Sequence, residues 1–245
     1  MGANVNAKDE EEIALILAAK NNTNPDVIKA LIAAGADVNA KDEEGITALI
    51  YAVMFTKNPD GIKALIAAGA DVNAKSEEGR TALMCVAISN TNSDVIKALI
   101  DAGADVNAKA ELFGLTALMC AASNKTNPDV IKAFIDAGAN VNARAKYGGL
   151  TALILAAMLN TNPDVIKALI AAGADINARD QKGITALMYA AEKNTNPDVI
   201  KALIDAGANV NARDNDGKRA IDHLESNKEI GKTDDAYWNI RDLLY

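Results

Sequence analysis

Few side chains here are arranged for chemistry. The single histidine, His223, stands beside Asp222 near the C-terminal end. A covalent hydrolase needs a Ser or Cys nucleophile set against such a base. No Ser or Cys motif supplies one, so His223 reads as a surface or cap residue and the chain as non-catalytic. Cys85 and Cys120 lie 35 residues apart, with no histidine near enough in sequence to complete a zinc set. They read as free thiols of a reducing compartment. The carboxylates Glu10, Glu11 and Glu12, with the pairs Glu43–Glu44 and Glu77–Glu78, lack the oxygen-ligand spacing of a calcium loop and read as solvated charge. Gly148–Gly149 does not stand in a phosphate-loop pattern. These residues imply no metal and no cofactor.

Charge narrows the partners. There are 25 Lys and Arg against 33 Asp and Glu, a formal net charge of −8, which argues against nucleic acid because that affinity rests on neutralising phosphates. No apolar run has the length of a membrane span and no signal peptide opens the chain. The expectation is a cytoplasmic protein with no membrane partner, although a dedicated secretion system would leave no mark in these residues.

The elements that position any site follow from repetition. The phrase Ala-Gly-Ala-(Asp/Asn)-(Val/Ile)-Asn-Ala recurs around Gly35, Gly69, Gly103, Gly138, Gly173 and Gly207, spaced by 34 or 35 residues, with a partial copy at Gly2–Ala7. A unit of this size cannot bury its own apolar face, so copies stack. The expected organisation is one solenoid over 1–245: a partial finger at 1–11, repeats at 12–40, 41–74, 75–108, 109–143, 144–178 and 179–212, and a cap at 213–245.

Each unit predicts two short helices. Thr47, Thr81, Thr116, Thr151 and Thr185 are N-caps of the first, and Ile184 can staple against Tyr189 inside it. The second starts at Pro25, Pro59, Pro128, Pro163 or Pro197, with Ser93 in the remaining copy. Proline suits the first helical position, where its missing N–H has no partner to lose. In the sixth repeat Asn196 caps this helix and Asp198 favours its positive end, and the recurrent glycine ends each copy. About ten residues then run to the next threonine as an extended finger with turns. The fingers holding Leu112–Phe113 and Tyr147 are one residue longer.

Helix, turn, helix and a finger ending in Gly-Ala-Asp-Val-Asn-Ala resemble the ankyrin repeat family over residues 1–226. Thr-Ala-Leu-Met or Thr-Ala-Leu-Ile stands where the family has Thr-Pro-Leu-His, and Asn-Thr-Asn-Pro replaces its inter-helix Gly-His. The resemblance implies an all-α solenoid of L-shaped repeats with antiparallel helices, β-turn or hairpin fingers at right angles, and a C-terminal helical cap. It also implies a groove between first helices and fingers that binds another protein without catalysis.

On that frame the groove positions are the two residues after the Ala-Ala of each first helix. Met54, Phe55, Ile88, Met158 and Leu159 stand there while other copies carry Ser, Asn, Glu or Lys, and exposed apolar residues of this kind anchor partners. Leu112, Phe113 and Tyr147 add reach, and Tyr51 and Tyr189 stand on the first helix as staple or groove wall. Lys41, Lys75, Lys109, Arg144, Arg179 and Arg213 form a basic stripe that either pairs with nearby carboxylates or attracts an acidic partner. The expected function is a protein-interaction scaffold. The alternative is an architectural or self-associating segment of a longer protein, because the first repeat begins inside a finger and leaves apolar residues of 12–19 partly uncovered. At the other end, Thr233 is expected to cap an amphipathic helix over 234–245 in which Trp238 seals the last core layer.

Overall fold

The computed structural model describes residues 5–6, 8–9, 12–21, 24–55, 59–89, 93–124, 128–227, 230 and 235–245. Glu10, Glu11 and Thr233 lie outside them. The chain falls into two compact units, Met1–Leu112 and Phe113–Tyr245, divided inside the first of the two lengthened fingers.

The first unit opens with a hairpin, β1 (Lys8–Asp9) paired antiparallel with β2 (Glu12–Ile13). Three helix pairs follow: α1 (Ala14–Asn21) with α2 (Pro25–Ala33), α3 (Ala48–Phe55) with α4 (Pro59–Ala67), and α5 (Ala82–Ser89) with α6 (Ser93–Asp101). First helices pack in one layer, α1 on α3 on α5, and second helices in another, α2 on α4 on α6. The second unit repeats the plan. Its first layer is α7 (Ala117–Ser123), α9 (Ala152–Leu159), α11 (Ala186–Lys193) and α13 (Ala220–Leu224). Its second is α8 (Pro128–Asp136), α10 (Pro163–Ala171), α12 (Pro197–Asp205) and α14 (Asp235–Leu244).

Helices of five to ten residues are too short to persist alone; packing and caps hold them. The threonine hydroxyls of Thr47, Thr81, Thr116, Thr151 and Thr185 each accept from the backbone N–H three residues on, at 3.3–3.4 Å. Asn24, Asn162 and Asn196 cap α2, α10 and α12 through the N–H of the aspartate two residues ahead. At the far end of α2, Gly35 takes φ +86°, donates its N–H to Ile32, and is followed by Ala36 N–H to Leu31 O at 3.0 Å. This left-handed stop recurs at every repeat glycine and satisfies carbonyls the helix leaves open. α13 has Arg219 where α3, α5, α7, α9 and α11 have threonine, and there the Asp222 carboxylate accepts the Arg219 N–H at 2.7 Å.

The core of each unit is built mainly of small and branched side chains. Leu49, Leu83, Leu118, Leu153 and Leu187 are buried from the first helices. Ile62 and Leu65, Ile96 and Leu99, Ile131 and Phe134, Ile166 and Leu169, and Ile200 and Leu203 meet them from the second.

At the N-terminal end the expected exposure within 12–19 narrows to one large side chain, and at the C-terminal end the expectation for Trp238 changes. Ile13 and Ile16 are buried, and of the large apolar residues in this segment only Leu17 is exposed. The chain enters α1 through the β1–β2 hairpin, and α1 packs on both α2 and α3. Trp238 does not seal the last layer. It is 48% exposed, edge-on to Tyr237, with the Arg241 guanidinium 5.1 Å over its ring. The buried stripe of α14 is Tyr237, Ile240 and Leu244, a spacing of three and four residues that turns position 238 outward.

Candidate functional site

The fingers are tied together by side chains that recur once per repeat. In the first unit, the Asn39 amide donates to Gly69 O at 3.1 Å and its carbonyl accepts the Asp71 N–H at 2.7 Å. Asn73 does the same to Gly103 and Asp105, and Asn6 to Gly35 and Asp37. In the second unit Asn142 clamps Gly173 and Asp175. Each asparagine thus holds the helix stop of the following repeat. Backbone bonds link successive finger tips as well: Glu77 N–H to Glu44 O at 2.9 Å in the first unit, Lys146 N–H to Phe113 O at 2.9 Å in the second. Backbones approach so closely that a Cβ on Gly114 would lie 2.7 Å from the Lys146 nitrogen.

The basic stripe serves the same purpose. Lys41 Nζ donates to Lys75 O at 3.1 Å. Arg144 donates to Gly149 O and to Arg179 O, the latter at 2.7 Å, and Arg179 to Gly183 O and to Arg213 O, again at 2.7 Å. Arg213 closes onto Gly217 O at 2.6 Å. These four side chains are exposed and each donates to a carbonyl of its own or the next finger. Lys75 and Lys109 are exposed.

Finger and first helix are joined by a second recurrent device. Asp42 accepts from the Glu44 and Ile46 N–H groups with one oxygen, and from the Tyr51 hydroxyl with the other at 2.8 Å. Asp180 repeats this with Lys182, Ile184 and Tyr189, the last at 2.9 Å. Asp214 repeats it with Asp216, Lys218 and His223. Burial first, then the hydrogen bond to Asp180 and the charges of Asp180 and Glu192, push the Tyr189 phenol well above its ordinary value. Tyr51 and Tyr189 are therefore struts between helix and finger, and His223 is a buried member of the same series.

The inter-helix loops hold a device the sequence reading missed. Asn160 and Asn194 are buried. The Asn194 amide donates to Ala157 O and Asn160 O, both at 2.9 Å, while its carbonyl accepts the Asn196 N–H. Asn160 donates to Asn124 O, and Asn227 to Ala191 O and Asn194 O. The signal was the first Asn of Asn-Thr-Asn-Pro, which occupies one column in several copies.

The apolar positions following the first-helix Ala-Ala lie open. In the first unit Met54, Phe55 and Ile88 are 37%, 53% and 48% exposed, and Phe55 stacks on Tyr51 with ring centroids 6.0 Å apart. In the second unit Leu159 is exposed and Met158 half-buried. Leu112 is exposed at the finger tip of the first unit, as are Phe113 and Tyr147 in the second, where Lys146 Nζ lies 5.4 Å over the Tyr147 ring. Cys85 and Cys120 are both buried. Among the described residues no helix is long and apolar enough to cross a membrane.

The comparisons agree with this architecture. No curated protein matches the chain significantly. Among solved structures, the crystal structure of the human ASB11 ankyrin repeat domain is similar with a TM-score of 0.79 and 24% identity, over 94% of this chain and 95% of that one, a likeness that speaks to fold. A family model described as ankyrin repeats (3 copies) matches residues 1–76, 53–145, 86–180 and 153–229. Repeat by repeat, in caps, stops and fingers and across nearly its whole length, the chain belongs to the ankyrin repeat family.

Proposed function

We propose that the chain is a non-catalytic interaction module that holds a protein partner on the side of each unit built from first helices and fingers. Ankyrin repeats are generally protein-interaction modules, which supports the class of function. The observation that carries the choice of surface is the exposure of Met54, Phe55, Ile88 and Leu159 in columns where other copies place Ser, Asn, Glu or Lys. Leaving such side chains in water costs solubility without helping the fold. Large apolar groups at the centre of a contact give most of its affinity, and a scaffold locked by clamps and ladders loses little conformational entropy on binding. Leu112, Phe113 and Tyr147 at the finger tips extend the surface.

The test is an affinity capture from the source cells, quantified by mass spectrometry, comparing the intact chain with one carrying serine at Met54, Phe55, Met158 and Leu159. The reading expects specific partners to be lost with circular dichroism unchanged. Equal recovery by both chains would remove the surface from consideration.

A further inference from the structure

Within the first unit, one stretch of this side is a cavity with its own chemistry. It has a volume of about 310 Å³, at the lower edge of the size range of ligand sites. Ile46, Ile50, Met54 and Cys85 line it with apolar surface. Its finger edge is acidic: Glu44, Glu77 and Glu78 line it together with a single cation, Arg80. That cation is already committed, because Arg80 Nη2 lies 2.7 Å from Glu78 Oε2. Glu44 and Glu77 make no ion pair among the described residues, and the Glu77 N–H to Glu44 O bond holds their two finger tips side by side. Glu43, next in sequence, adds another exposed carboxylate.

Apolar lining and uncompensated carboxylates ask for different things from an occupant, and one chemistry meets both. Resting on the groove reading above, we infer that this cavity takes one large apolar side chain of a partner segment whose neighbouring residues are Lys or Arg. The apolar group displaces water from Ile46, Ile50 and Met54, while the flanking cations meet Glu44 and Glu77. An acidic flank would set like charges together in a chain that already carries a net charge of −8. The flanking pairs are exposed, so they contribute selectivity and association rate more than depth of affinity, and they weaken with salt.

The experiment selects binders to the intact chain from a random dodecapeptide library displayed on phage, then measures selected peptides by fluorescence anisotropy. The expected consensus is an aliphatic or aromatic residue flanked by Lys or Arg. Glu44→Gln with Glu77→Gln should weaken these peptides about three- to ten-fold at low salt, the range for two exposed pairs, and the difference should shrink at high salt. Both side chains are solvated, so circular dichroism and melting should not change. Met54→Ser should weaken binding further. Selected peptides with acidic or uncharged flanks, or indifference to the double Gln variant while Met54→Ser and Phe55→Ser still weaken binding, would overturn the inference and leave the groove reading standing. Peptides indifferent to Met54, Phe55 and Leu159 alike, or no selected binder at all, would overturn both.

Discussion

His223 Nε2 lies 2.9 Å from Asp214 Oδ2, and the other ring nitrogen is 3.4 Å from Glu192 Oε2. The imidazole thus sits between a carboxylate of its own finger and one from the preceding first helix, α11. The Asp214 contact has the geometry of Asp42 with Tyr51 and Asp180 with Tyr189, nine residues apart in each case. The one histidine of the chain thus stands where Tyr51 and Tyr189 stand in their repeats, as a variant of the strut.

The strut makes acid stability a local property. Burial works to raise the Asp214 carboxyl, but the Lys218 N–H, His223 and the Asp216 N–H outweigh it and hold it below its ordinary 3.8. At Glu192 burial is likewise outweighed by Lys193 and His223, from an ordinary 4.5. A carboxyl lowered on folding stabilises the fold above its unfolded value, and that contribution is lost as pH falls through the folded one. Melting followed between pH 7 and 3 should show the cap loosening below about pH 4. Asp214→Asn should melt lower at neutral pH and lose less on acidification than the parent chain.

Tyr189→Phe tests the strut without charge. Asp180 keeps the Lys182 and Ile184 N–H groups, so the loss should be about 1 kcal/mol in urea denaturation. Asp180→Ala leaves those two backbone groups and the phenol without their acceptor and should cost more.

Asn194→Ala removes a buried amide that serves Ala157, Asn160 and Asn196. Leaving these groups unmet should cost roughly 2–3 kcal/mol. A cost near zero in urea denaturation would show that water replaces the amide there.

Cys85 should be inert while folded. Burial, opposed only by the Arg80 charge, raises its thiol to about 11. At pH 8 the thiolate is then on the order of one part in a thousand, against roughly a quarter for an ordinary thiol. Alkylation by iodoacetamide should be slower by two orders of magnitude or more in buffer than in guanidinium. Comparable rates would contradict the burial.

What was legible in the sequence is what is local and repeated. Thr151 before an Ala-Leu run, Pro163 after Asn162 and Gly173 after a branched helix each carry their structural meaning within one turn of chain. The contacts that build the fingers do not. The Asp180–Tyr189 strut, the Asn39 clamp and the Arg179 bridge join residues nine to thirty-four positions apart, and a polar residue in a turn-rich segment looks solvated until the neighbouring repeat covers it. Part of this was latent in the chain's own variation. Where the finger aspartate gives way to Ser76 or Ala145, the helix position opposite is Cys85 or Leu155, neither of which could act as the strut. Trp238 misled for a different reason: size suggested the core, but its register on α14 points it away from Tyr237, Ile240 and Leu244.

The most direct test of the account is a paired measurement on Phe55→Ala, its urea midpoint and its calorimetric Kd for a partner recovered by the intact chain. An exposed side chain that serves contact alone should leave the midpoint within about 0.5 kcal/mol of the parent and weaken the complex roughly tenfold or more. A lowered midpoint with an unchanged Kd would assign Phe55 to folding and contradict the proposed surface.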